Sequence, residues 1–131
     1  MASKIIIWVL KLLAVAIMGM TLFFKFSADP QSVKLFTMIG MEPWGRIGIG
    51  VLELIACILI LIPRTAPFGA LLGVGLMAGA IFFHVTKLGL KFDGDYGLFT
   101  YAAIVFVCCS ILVIIYLGDL LRFVGLSRAK A

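Results

Sequence analysis

Charge is what this sequence lacks. Its 131 residues include six Asp or Glu, eleven Lys or Arg and one His, and 64% of the chain is hydrophobic. A soluble domain carries about 25% charged residues; here the figure is 13%, with a mean hydropathy of +1.26. One water-facing fold cannot hide that much apolar surface, so the composition excludes a soluble globular domain and points to the membrane class. Cysteine is scarce too. Cys57, Cys108 and Cys109 all fall inside apolar runs, and an odd set away from the loops is no disulfide framework. No CxxC or Cys/His metal spacing occurs, so no metal site is expected. A basic stripe interleaved with aromatics is also missing. The net charge of +5 and pI near 9.4 therefore suit anionic lipid head groups and not nucleic acid.

What the chain does have is long apolar runs. Ile5 to Phe24 is the first, broken by Lys11. It continues past Ala14-Val15-Ala16, which mimics a signal-peptide cleavage site, and is expected to be a retained helix. Ile47 to Ile62 is the second, Pro67 to Val85 the third and Leu98 to Leu117 the fourth. Each approaches the ~20 residues that cross ~30 Å of hydrocarbon, and helices satisfy their own backbone groups there. The expectation is all-α: an integral membrane four-transmembrane-helix bundle. It forms a single transmembrane domain over 1–131, with helices at about 4–25, 45–62, 66–87 and 97–118.

The connections carry their own signals. "PRTAP" is a tight link that makes the second and third helices an antiparallel hairpin. "SADPQSVKLF" suggests a short interfacial helix after the Asp29-Pro30 start, and Trp44 an interfacial anchor. "TKLGLKFDGDYG" is a polar loop with an Asp93-Gly94 turn. Four spans put both termini on one side, with Lys4, Arg64, Arg122, Arg128 and Lys130. Lys25, Lys34, Lys87 and Lys91 fall on the other. The small excess and the basic tail favour cytoplasmic termini.

Within lipid, small residues bring helices together. The third run holds Gly69, Gly73, Gly75 and Gly79, two GxxxG pairs on adjacent faces, and the second opens with Gly45, Gly48 and Gly50. Either they pack one bundle tightly or they form a surface for a second copy or a partner protein.

Against this background Glu53, in "GVLELIAC", is conspicuous. It lies two turns after Arg46 on one helical face, roughly 10 Å inside the boundary at 1.5 Å per residue. Lys25, His84 and Tyr101 come from the other three helices into the same half of the membrane. The opposite half offers only Lys11, expected to snorkel back beside Lys4. A charge at mid-depth costs several kcal/mol unless it is paired, neutralised or wet. Glu53 can take up a proton or pair with Arg46 or Lys25. It is then either a bolt that fixes helix registry or a ligand-binding site formed by Glu53, Arg46, His84, Lys25 and Tyr101.

"GVLELIACILILIPRTAPFGALLGVGLMAGAIFFH" resembles the DoxX and DoxX-like membrane proteins: a Gly-x-x-Glu in the second helix, a proline-bounded turn and an alanine- and glycine-rich third helix. Lys25 and the following "LFTMIGMEPWGRIGIG" are similar to the family's lysine and its approach to the second helix, although Gly19 stands six residues before Lys25 and a close Gly-x-x-Lys is missing. The resemblance covers about residues 10–115. It implies a four-helix protein of the bacterial cytoplasmic membrane, linked to membrane redox work or to assembly of membrane complexes. Fold does not fix function across such a set. Two readings follow. One is a quinone- or lipid-binding accessory subunit of a redox system, with a quinone as its cofactor and a membrane redox protein or a second copy as its partner. The other is a non-enzymatic assembly or partner-binding protein in which Glu53 is structural. A transporter fits less well, since no inverted repeat or pair of broken helices is evident. With no haem pair, flavin motif or metal spacing, the chain itself is not expected to carry electrons, and no catalytic residue is assigned.

Overall fold

The structure, a computed structural model, describes residues 2–27, 29–42, 44–88 and 97–123. Its elements are all helical: α1 (Ala2–Phe26), α2 (Pro30–Met38), α3 (Trp44–Leu61), α4 (Ala66–Phe83), a π-helical turn (His84–Leu88), α5 (Gly97–Ile115) and α6 (Leu117–Phe123). Four stretches are long and apolar enough to cross a membrane: Lys4–Phe26, Trp44–Leu61, Ala66–Lys87 and Gly97–Ile115. The protein is a multi-pass, all-α membrane protein whose surroundings are a lipid bilayer.

The surface is apolar and much of the interior is small or polar. Ile5, Phe23, Ile58, Phe82 and Ile114 point outward, while Ala14, Ala56, Ala70 and Cys109 are buried together with Lys11, Arg46, Glu53 and His84. Lipid solvates Ile and Phe as well as a core does, so helix contacts select small side chains that let backbones approach. The three cysteines are free and buried.

The local boundaries follow from capping chemistry. Asp29 caps α2, its carboxylate accepting from the Gln31 N–H at 3.1 Å, and Pro30 occupies the first helical position, where no N–H is needed. Gly40 ends the helix at φ 76°, the left-handed conformation usual just past a helix end. The Met41 N–H reaches back to the Phe36 carbonyl at 2.8 Å. In the turn between α3 and α4, the Thr65 hydroxyl donates to the Leu59 carbonyl at 2.9 Å, which satisfies one of the free acceptors at the end of α3. The fourth span stops at Ile115. After a turn at Tyr116 the chain restarts as α6, which returns to α4 through an edge-on contact of Phe123 with Phe68 at 4.8 Å.

Around the bundle the neighbours run α1, α3, α4, α5 and back to α1, so α1 and α4 stand diagonally. α2 packs on α1, α3 and the π-helical turn, and so covers the end of the bundle where Lys25 lies. The Asp93-Gly94 turn, Lys91 and the basic tail with Arg128 and Lys130 lie outside the described residues.

Candidate functional site

The site begins where α1 ends against the start of α3. Gly50 lies so close to the Phe26 ring that a Cβ there would come within 2.9 Å of it. This close approach lets the last turn of α1 meet the face of α3 one turn further on. Glu53 is on that face, 3% exposed, and Lys25 Nζ stands 3.1 Å from its Oε1. The lysine also sits in the last turn of α1, where the negative end of the helix dipole favours a cation. At this distance the ammonium is both the charge partner of the carboxylate and its nearest donor. Beyond Lys25, no group among the described residues donates a hydrogen bond to the buried Oε1. Such an oxygen retains acceptor capacity that a polar partner can still satisfy.

Arg46 stands apart from this pair. Its Nε donates to Glu42 Oε1 at 2.9 Å and Oε2 at 3.2 Å, and its Nη2 donates to Oε2 at 3.0 Å. Its Nη1 donates to the Lys25 carbonyl at 2.6 Å. The sequence offered Arg46 as a partner for Glu53, on the ground that both share a face. Glu42 wins because it is one turn away instead of two, and its carboxylate takes the guanidinium fork while that of Glu53 meets Lys25. Arg46 thus holds the backbone of Lys25 while the lysine side chain reaches Glu53.

The other three candidates converge with this pair on one cavity. It measures about 230 Å³ and is lined by Lys25, Glu53, His84 and Tyr101, with Gln31 and Ser32 from α2. Arg46 is not among the lining residues. His84 is buried at the point where α4 widens into the π-helical turn, a distortion frequent at functional sites, and its ring meets Phe99 edge-on at 5.8 Å. Tyr101 is partly open to the surroundings. The remaining wall is apolar, with Ile17, Met18, Leu76 and Val105, and includes Gly75 and Gly79. An acid, an amine and an imidazole at one end of an oily cavity can hydrogen-bond a polar head group and exchange protons with it.

At the opposite end of the bundle the structure corrects the expectation for Lys11. Its side chain does run back toward the helix start, but it is 2% exposed instead of reaching the surface beside Lys4. Its ammonium lies 4.4 Å from the centre of the Trp8 ring and 5.8 Å from that of Tyr116. Two aromatic faces replace water as its partners. Tyr116 is more than a hundred residues away in sequence, so depth along the first run could not reveal it.

Three parts of this arrangement were missed by the sequence reading. Glu42 had a signal, its spacing of four from Arg46. Gln31 and Ser32 sit at the start of the interfacial helix, and their inward placement depends on how α2 folds back. The different surroundings of the four α4 glycines had no signal in their spacing.

The comparisons agree with this architecture. The model of the DoxX-like family matches residues 9–113, a stretch that runs from the first span into the end of the fourth. No curated protein and no solved structure matches the chain. With the family match extending over most of its length and carrying both Lys25 and Glu53, the chain belongs to the DoxX-like family.

Proposed function

We propose that this protein is a quinone- or lipid-binding accessory subunit of a membrane redox system, with Glu53 as the residue that engages the ligand's head group. The observation that carries the reading is the buried Glu53 carboxylate, its Oε1 partnered among the described residues by the Lys25 ammonium alone, at the edge of a cavity shared with Lys25, His84 and Tyr101. Carbonyl and hydroxyl groups of a quinone or quinol head fit this donor and acceptor set. A bound quinone would supply the electron-accepting ring. Lys25 then donates to a head-group oxygen, Glu53 accepts from or gives a proton to it, and His84 and Tyr101 orient it. Arg46 acts indirectly, by fixing the backbone of Lys25. The protein works beside a membrane redox partner or a second copy. We assign it to the bacterial cytoplasmic membrane with both termini in the cytoplasm.

A second reading rests on the Lys25–Glu53 ion pair itself. That pair ties α1 to α3, and as a structural bolt it serves an assembly or partner-binding protein equally well. Mass spectrometry of small molecules extracted from protein purified in mild detergent separates the two. A quinone or a specific lipid should accompany the wild type and be lost from folded Glu53→Gln. The same bulk phospholipid in both would leave the bolt as the better account.

A further inference from the structure

The cavity does more than receive a head group; its shape says how the rest of the ligand lies. Met77 and Gly75 both line it, yet they sit two residues apart, about 160° around the helix at 3.6 residues per turn. Met77 is in the core and Gly75 is exposed. A single cavity that touches both runs round the flank of α4 from the bundle interior to the lipid-facing surface. Gly79, one turn from Gly75, continues that flank toward His84. No atom beyond the helix's own surroundings comes within 4 Å of a Cβ built at either glycine, so these glycines leave space instead of bringing helices together. The volume of about 230 Å³ falls below the ~300–1,000 Å³ of pockets that enclose a whole small molecule. It suits a head group whose tail must leave through the wall.

Charge narrows the head group further. Lys25 and Glu53 are 3.1 Å apart and cancel each other, so the polar end of the cavity offers hydrogen bonds without a net charge from this pair. A phosphate would demand an excess of cations there.

We propose that the Gly75/Gly79 flank of α4 is a lateral portal from the bilayer, and that it seats the tail of a single-tailed amphiphile whose neutral, oxygen-bearing head group lies at Glu53 and Lys25. This rests on the ligand-binding reading above and selects within it: an isoprenoid quinone or another single-chain neutral lipid fits, and a two-chain anionic phospholipid does not.

The test is isothermal titration of the full chain in mild detergent with two probes, a dimethoxy-methyl-benzoquinone without a tail and the same ring bearing a decyl tail. Detergent already takes the tail out of water, so at equal detergent concentration a preference reports contact of the tail with the α4 flank, and in the wild type the decyl probe should bind about tenfold more tightly. Gly75→Leu combined with Gly79→Leu should bring that ratio close to one, with the tailless probe bound as before. Gly79→Val alone is a milder obstruction, expected to give an intermediate ratio if the double variant does not fold. A ratio unchanged by these obstructions overturns the portal and leaves the ligand reading standing. Failure of both probes to bind the wild type overturns the quinone reading of the site and the quinone-tail portal with it. Displacement of the decyl probe by dioleoyl phosphatidylglycerol at equal concentration would overturn the single-tail, neutral-head assignment.

Discussion

The two ends of α4 carry the same motif and use it in opposite ways. At the Gly69–Gly73 end the neighbours press against the helix: a Cβ on Gly69 would stand 2.6 Å from the Ile60 backbone nitrogen and 2.9 Å from the Ala56 carbonyl oxygen, and one on Gly73 would stand 2.6 Å from Cys109 Sγ. At the Gly75–Gly79 end the same substitution meets nothing within 4 Å, and both glycines border the cavity. Helix contact holds the first end together. The second end stays open, and there a charged crosspiece, Lys25 to Glu53, joins α1 to α3. A missing side chain can thus serve contact or vacancy, and which one depends on where the helix face points.

The contrast can be broken most forcefully at Gly69. Gly69→Ala should destabilise the protein by about 1–3 kcal/mol, because the added methyl meets backbone that has to shift. The readout is the unfolding midpoint in mild detergent, and an unchanged midpoint would count against contact packing at that end. Next in size is the crosspiece. Lys25→Met should cost about 1 kcal/mol, in the range of polar contacts between transmembrane helices. Adding Glu53→Gln should restore part of that loss, since the acid no longer stands without its cation. A double-mutant cycle measures the coupling, and strict additivity would deny that the pair joins the helices. The smallest effect is expected at Gly75. Gly75→Ala should shift stability by no more than about 1 kcal/mol and in the favourable direction, because alanine is the better helix former and has room. A loss as large as that of Gly69→Ala would erase the distinction between the ends.

The bundle itself was legible because lipid leaves few choices. Apolar runs of crossing length, bounded by Pro63, Trp44 and polar loops, have to become helices, and the Asp29-Pro30 pair announced α2. Glu53 stood out for the same reason: a carboxylate in an apolar run demands an explanation. Its neighbours were harder to read. Lys25 and Arg46 were both within reach by depth. Only the packing of α1 on α3 brings Lys25 Nζ to Oε1, while Arg46 turns to Glu42. The four glycines of α4 differ in azimuth alone, and azimuth acquires meaning only once the positions of α3 and α5 are fixed. Lys11 shows the same limit. Its burial under Tyr116 joins the start of the chain to the end of the fourth span, a contact that no local pattern encodes.

The indole beneath which Lys11 is tucked has a counterpart. The chain holds two tryptophans, Trp8 near the start of α1 and Trp44 at the first residue of α3, and α1 crosses the bilayer once between them. Both are substantially exposed, at 40% and 65%. The fold therefore carries one intrinsic fluorophore near each membrane face, and one of them emits from beside an ammonium group. Sidedness in sealed vesicles is readable by light alone, from which indole a water-soluble quencher reaches, with no tag added to the protein.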